Sequence, residues 1–367
     1  IVGRYKIGQQ IMSIVGPAGS GKSTIVSHIV EELDMSENNV RFVTFTAKAA
    51  LVLKQKGNPA STIHSLIYNN HKDKSTGRFI SILKKELDPW IRLIIVDEVS
   101  MVGDKLMEDL KSFNIPIITL GDQYQLEPIK QEMNQYVQNP DFALTQIHRQ
   151  AEGNTIIKLS KDLRDGKKII SNYNDSYVKS YSKSELTIGM LNWADQIVCG
   201  THKVRKELNN LIRENKGFTK QYPEVGDKVI CLVNYKDVFD TTEVDTLVNG
   251  AIGYITAIEY FEMDSLSPYA EVQFRPEYDP SLIYFFKMDL SLFFGYKPYD
   301  NFRENYYKKN KEPRCHFDFG YVISTHKAQG SEWENVLVYS GDFFGEKWRL
   351  AYVAATRASS KLVWINP

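Results

Sequence analysis

One nine-residue stretch, GPAGSGKST at residues 16–24, restricts what this chain can fold into more than any other feature. It fits G-x-x-x-x-G-K-[ST], in which glycines free backbone N–H groups to wrap phosphate oxygens, a lysine reaches the β- and γ-phosphates and a hydroxyl ligands Mg²⁺. Such a loop belongs between a strand and a helix whose N-terminus faces the phosphate. The flanks agree: residues 10–15 are a short apolar run of strand composition, and residues 23–33 place Ile25, Ile29, Val30 and Leu33 on one helical face. The expected ligands are ATP and Mg²⁺. Gly16, Pro17, Ala18, Gly19, Ser20 and Gly21 would line the phosphates with Lys22, Ser23 and Thr24; Lys22 acts catalytically and Ser23 holds the metal. A plain glycine turn between strand and helix is the alternative.

Further apolar, β-rich runs at 40–44, 93–96 and 115–120 alternate with helical stretches, which argues for an α/β domain with a mostly parallel sheet. LIIVDEVSM ends its apolar run in Asp97 and Glu98, placing two carboxylates at the C-terminal edge of a buried strand, where open α/β sheets bind ligands. Asp97 is then the Mg²⁺ partner and Glu98 the group that orients and deprotonates an attacking water. An acidic cap before a helix near Val99 explains the same residues. GDQYQLEP follows the next strand, and Gln123 there offers an uncharged amide for a γ-phosphate or the water.

Lysine plus arginine equals aspartate plus glutamate at 45 each over 367 residues, so any polyanion groove is built by local placement rather than a global field. Cys199, Cys231 and Cys315 are too few and scattered for a disulfide framework, and no Cys or His pair has zinc-ligand spacing. No run of eighteen apolar residues and no signal peptide is present, so the expectation is a cytoplasmic protein that does not enter the membrane. The chain opens on Ile1 rather than methionine, so both ends are open to extension.

GPAGSGKST, TAKAA with STIHSL, DEVSM, GDQYQLEP, LTQIHRQ, STHKAQGSEW and YVAATRA occur in this order. The series resembles the motifs of superfamily 1 helicases, specifically the RecD/Dda-like 5′-to-3′ DNA helicases, and covers nearly the whole chain. The resemblance implies an α/β fold of two RecA-like P-loop domains, with a small hairpin inserted in the first and an SH3-like β-barrel in the second. Residues 1–148 would be the first domain, with 68–91 its pin-like insertion; 149–225 and 317–367 would be the second, with 226–316 the barrel.

It also implies roles. Lys22, Ser23, Asp97, Glu98 and Gln123 form the ATPase core, and Arg149 and Arg357 contact the γ-phosphate from the second domain. Gln329 and Gly330 lie near the phosphates and Glu332 near the ribose. Single-stranded DNA is touched by Thr46, Lys48, Thr62 and His64, by Thr325 and His326, and by Thr201 and His202. Short hydroxyl and imidazole donors after strands suit phosphate contacts that position without reading sequence.

HKDKSTGRFIS has a turn signal between polar arms and reads as the hairpin that, in the family, splits the duplex; Phe79 and Trp90 are its wedge candidates. Strand-like runs at 226–235, 247–261, 269–275 and 282–288 compose the barrel, with aromatics such as Tyr254 and Phe285 divided between its core and base stacking. The whole implies an ATP-dependent helicase of replication, recombination or repair that works as a monomer on single-stranded DNA and duplex junctions and meets replication or recombination proteins. The alternatives are a nucleotide-gated clamp or translocase that does not unwind, an RNA helicase, and a small-substrate phosphotransferase.

Overall fold

The computed structural model describes residues 1–72, 79–127, 133–146, 154–167, 173–235, 247–264, 268–295, 314–345 and 347–367. Its contacts divide the chain into two units, Ile1–Ser184 with Ala328–Pro367, and Glu185–Lys327.

In the first unit, β1 (Ile11–Val15), β2 (Val40–Thr44), β3 (Ala60–Thr62), β6 (Leu93–Val96), β7 (Ile117–Gly121) and β8 (Phe142–Ala143) form a sheet in the order β3-β2-β6-β7-β1-β8. All of its pairings are parallel. Because side chains alternate across a strand, each strand feeds two cores. Met12, Ile14, Leu93, Ile95, Ile118 and Leu120 pack one face against Val26 and Ile29 of the helix Lys22–Glu32. Val43, Ile94, Val96 and Ile117 pack the other against Leu106, Met107 and Leu110 of the helix Asp104–Lys111. The parallel register sends the loops after all six strands to one edge. The expected hairpin is present as β4 (Tyr68–Lys72) and β5 (Phe79–Leu83), paired antiparallel. Trp90 stands apart from that edge: its carbonyl accepts from Asn39 Nδ2 just ahead of β2, at the opposite end of the sheet. The Phe79 side chain lies outside the described residues. The strand β9 (Val178–Ser182) completes the N-terminal part of this unit.

The second unit opens with β10 (Gln196–Cys199), followed by the helix His202–Asn215. β11 (Lys228–Cys231), β12 (Ile252–Phe261), β13 (Tyr269–Pro276), β14 (Tyr284–Asp289) and β15 (Cys315–Phe319) close into a barrel. Its interior is aromatic, with Phe286 stacked on Phe317 at 5.0 Å and Phe274 edge-on to Phe317 at 5.3 Å. Tyr254 and Phe285 stay outside. At Gly253 a Cβ would fall 2.1 Å from the Arg275 carbonyl oxygen, so only glycine lets β12 and β13 approach there. β16 (Val322–Ser324) leaves the barrel and pairs parallel with β10.

Chain returning to the first unit forms β17 (Trp333–Tyr339), the helix Lys347–Ala355 and β18 (Ala358–Asn366). β18 pairs parallel with both β17 and β9. Among the described residues no helix is long and apolar enough to cross a membrane.

Candidate nucleotide site and strand-binding edge

Glycine chemistry shapes the loop after β1. Gly19 and Gly21 have φ of 77° and 84°, and Gly21 caps the helix Lys22–Glu32 in the left-handed region that side chains avoid. Gly16 donates to the Gly121 carbonyl at 3.0 Å, and a Cβ on it would lie 2.5 Å from Ser20 Oγ. Lys22 Nζ folds onto its own loop, donating to the carbonyls of Gly16 at 2.6 Å and Pro17 at 3.1 Å. Ser23 and Thr24 sit exposed in the first helical turn. Among the described residues Ser20 Oγ is buried with no hydrogen-bond partner. Exposed hydroxyls, backbone N–H groups and one ammonium at a helix N-terminus are the donor set that a Mg²⁺–nucleoside triphosphate requires, and the loop fits it.

Beside the loop lies a cavity of about 430 Å³ lined by Ser20, Gly21, Thr24, Ile25, Ala143, Leu144, Thr145 and Gln146. Its walls are the helix after β1 and the chain after β8. Gln9 and Gln10 take no part in it: their side-chain amides donate to the carbonyls of Ile11 and Lys111.

Three carboxylates converge after β6 and β7. Asp97 Oδ1 accepts from the Glu98 N–H at 2.8 Å, and Glu98 is held at φ 55°, a left-handed conformation rare for a non-glycine residue. Asp122 is buried and accepts from Tyr352 Oη at 2.7 Å and from the Tyr124 N–H at 3.0 Å. Withdrawal from water, with Asp97 alongside, pushes the Glu98 carboxyl up to about 7, against the pull of Arg357 and Lys22. Burial also raises Asp97 and Asp122 above the ordinary carboxylate range.

Arg357 is buried, and its guanidinium holds its own surroundings: Nε donates to the Val353 carbonyl, Nη1 to the Ser331 carbonyl and Nη2 to Thr356 Oγ1, at 2.9, 2.9 and 3.0 Å. Its charge acts on Glu98. Gly330, at φ 76°, would place a Cβ 3.2 Å from Glu98 Oε2, so the glycine is what allows this chain to pass the carboxylate. Glu332 is exposed. Arg149 lies outside the described residues.

The two glutamines of GDQYQLEP differ in placement. The Gln123 side chain is exposed, whereas Gln125, two residues on, is buried and its Oε1 accepts from Gln329 Nε2 at 3.0 Å. The turn after β7 points the first amide outward and the second inward, an orientation the strand-and-loop pattern did not reveal. Arg349 fixes the turn by donating to the carbonyls of Gln123 and Gln125 and pairing with Glu127. Asp122, Gln125, Arg349 and Tyr352, which meet around this turn, had no role in the motif reading. Their signal was present, because GDQYQLEP and YVAATRA contain three of them.

The threonines expected at the strand divide into caps and a brace. Thr46 and Thr62 accept from the N–H groups of Ala49 and Ser65, capping the helices Ala47–Gln55 and Ile63–Ile67. In the second unit Thr201 caps the helix His202–Asn215 in the same way. Thr325 corrects the expectation of a strand contact: it is fully buried and its hydroxyl donates to the Cys199 carbonyl, so its side chain braces β10 instead of facing a ligand. Lys48 lies 5.5 Å from the centre of the Trp333 ring, and His64 is exposed. His202 and His326 are exposed in the second unit. Partial withdrawal from water lowers both, with Arg205 adding to the effect at His202 and His202 to that at His326.

Comparison with known proteins matches both ends of the sequence. A family described as AAA domain matches residues 5–180, and one described as UvrD-like helicase C-terminal domain matches 319–365. The ATP-dependent DNA helicase dda of Enterobacteria phage T4 is 28% identical over 262 residues, 64% of this chain and 58% of that protein. The ATP-dependent RecD2 DNA helicase of Deinococcus radiodurans is 31% identical over 167 residues, 43% of this chain and 22% of that protein. The chain therefore spans little more than half the length of the first relative and under a quarter of the second. Among solved structures, Pif1 helicase from Candida albicans covers 100% of this chain and 92% of its own at 18% identity and a TM-score of 0.55. Bacteroides Pif1 bound to ssDNA covers 98% and 89% at 17% identity and 0.55. These likenesses show the fold, two RecA-like domains with a barrel insertion.

Proposed function

We propose that the chain is an ATP-dependent DNA helicase of superfamily 1, of the kind that dda and RecD2 represent. It would move 5′ to 3′ along a single strand and separate duplex ahead of it. One observation supports this reading most: Glu98 lies under the charge of both Lys22 from the P-loop and Arg357 from the C-terminal motif, so nucleotide chemistry draws on both ends of the sequence.

In this reading the phosphates rest on the N–H groups of residues 16–24 and Lys22, with base and ribose in the cavity beside Thr24 and Gln146. Ser23 and Asp97 would hold Mg²⁺, which supplies charge neutralisation at the β- and γ-phosphates. Glu98 takes the proton of the attacking water, and Gln125 with Gln329 senses the γ-phosphate. Arg149 and Arg357 neutralise the charge that develops there. Residues 1–148 are the first RecA-like domain, 149–225 with 317–367 the second, and 226–316 the barrel. Lys48 and His64 grip the strand from the first domain and His202 and His326 from the second. Opening duplex costs on average about 1.4 kcal/mol per base-pair step, and the β4–β5 hairpin, with Ile80 and Ile82 exposed, is the wedge. Relatives with this layout are DNA helicases, and the same track would lead the protein to single strands and junctions.

The deciding experiment is ATP turnover with and without single-stranded DNA, beside strand separation on duplexes carrying a 5′ or a 3′ tail, with Lys22→Ala as the blank. DNA-stimulated turnover with unwinding from the 5′ tail is the expected result. Turnover indifferent to DNA would overturn the reading, and stimulation without unwinding would reduce it to a translocase.

A further inference from the structure

The turn after β7 is shaped by side chains from far along the sequence. Tyr352 holds the Asp122 carboxylate, the Arg164 guanidinium lies 4.6 Å from the centre of the Tyr124 ring, and Gln329 holds the Gln125 amide. Arg349, in the first turn of the helix Lys347–Ala355, holds the backbone between them. Its Nη1 donates to the Gln123 carbonyl at 2.8 Å and to the Gln125 carbonyl at 2.9 Å, and its Nη2 lies 3.3 Å from Glu127 Oε1. A guanidinium Nη carries two N–H groups, so both hydrogens of Nη1 are committed to this turn. The bonds that the turn makes within itself stop short of that: Tyr124 N–H donates to Asp122 Oδ1 and Gln125 N–H to the Asp122 carbonyl. They fix the peptide plane ahead of the Gln125 Cα, and Arg349 fixes the plane behind it. Peptide units are rigid, so pinning both flanking planes sets the direction in which the Gln125 side chain leaves the backbone.

We propose that Arg349 is a positioning residue for ATP turnover, whose fork aims Gln125 inward at the γ-phosphate and leaves Gln123 in solvent. Arg349 touches no nucleotide atom in this role; it acts through the turn. Its planar fork suits the task, because two parallel N–H groups can hold two carbonyls at once, whereas a lysine ammonium offers a single point charge on a flexible stem. Tyr352 stands three residues on, over the same face of the helix, and its hydroxyl holds Asp122 and the Ala18 N–H of the phosphate loop. One helix face thus aims the glutamine and braces the loop that holds the phosphates. The inference rests on the reading of Gln125 with Gln329 as the γ-phosphate sensor and adds to it the residue that aims the sensor.

The test is a double-mutant cycle on steady-state ATP turnover with saturating single-stranded DNA, comparing wild type, Arg349→Ala, Gln125→Ala and the double variant. Rates are referred to the folded fraction measured by circular dichroism, so that lost stability is not read as lost catalysis. Arg349→Ala should lower kcat about tenfold, as Gln125→Ala does, with KM for ATP within about threefold of wild type. The double variant should fall no more than about twofold below either single variant, because both remove the same interaction. Arg349→Lys keeps the charge and loses the fork, so its kcat should stay within about threefold of Arg349→Ala. Single losses that multiply to about a hundredfold, full recovery by lysine, or an unchanged kcat in Arg349→Ala would each overturn the positioning role while leaving Gln125 as the sensor. A Gln125→Ala variant with wild-type turnover would overturn the sensor reading itself.

Discussion

Tyr352 donates its phenolic proton to Asp122 Oδ2 at 2.7 Å. The Tyr352 phenolic oxygen also accepts from the Ala18 N–H at 3.2 Å, so a single hydroxyl ties the phosphate loop to the turn after β7. Tyr352→Phe keeps the ring against Tyr124, 5.9 Å away, and removes both bonds. Steady-state kinetics should show KM for ATP raised several-fold and kcat lowered. The loss of two hydrogen bonds should cost about 1–2 kcal/mol of stability in urea titration.

Gln125 and Gln123 differ in sequence by two positions and in the site by their direction. Gln125→Ala breaks the bond to Gln329 and leaves a buried amide unpaired, so kcat should fall about tenfold or more. Gln123→Ala removes an exposed side chain and should leave turnover within twofold of wild type. Equal effects from the two substitutions would refute the orientation of this turn.

The raised Glu98 carboxyl makes stability depend on pH with a definite sign. In the folded, nucleotide-free protein it titrates near 7 instead of 4.5. The native state therefore holds an extra proton between those values, and stability falls as pH rises through 7. Glu98→Gln mimics the protonated form. Melting curves in EDTA should show it more stable than wild type at pH 8, by about 3 °C or more, and indistinguishable near pH 4.5.

Arg213 and Asp227 form a buried ion pair in the second unit, with Nε–Oδ1 and Nη2–Oδ2 both at 2.9 Å, and the guanidinium lies 4.0 Å from the Phe319 ring centre. Removing one partner strands the other charge. Arg213→Met should destabilise the protein by about 3–5 kcal/mol in denaturant titration. The double substitution Arg213→Met with Asp227→Asn should recover part of that loss.

Gly330→Ala tests how closely the C-terminal motif passes the carboxylate. Its φ of 76° and the 3.2 Å approach of a Cβ to Glu98 make the substitution strained twice over. Turnover should drop by an order of magnitude or more while circular dichroism remains native-like.

Patterns of composition made the scaffold legible. The glycine spacing at 16–24 located the loop, and LIIVDEVSM located Asp97 and Glu98 at a strand end, because apolar runs and glycine positions are local signals. Burial of individual side chains is not local. Nothing in GDQYQLEP tells which of two glutamines turns inward, since that is decided by Gln329, some 200 residues away. Thr325 was expected at the DNA strand through the motif resemblance, yet its hydroxyl is committed to the Cys199 carbonyl on the neighbouring β-strand. Asp122 and Tyr352 stood in quoted motifs without a role for the same reason: their bond spans 230 residues.

The separation of Ala18 from Tyr352 also fixes an order of events in biosynthesis. The two residues lie 334 positions apart, so at about 5–20 residues per second a ribosome needs roughly 17–67 seconds to pass from one to the other. During that interval the nascent phosphate loop has emerged without the hydroxyl that braces it. Bracing of the phosphate loop therefore waits until the helix Lys347–Ala355 has been made, and a chain cut short inside the barrel carries the loop without the hydroxyl that ties it to the turn after β7.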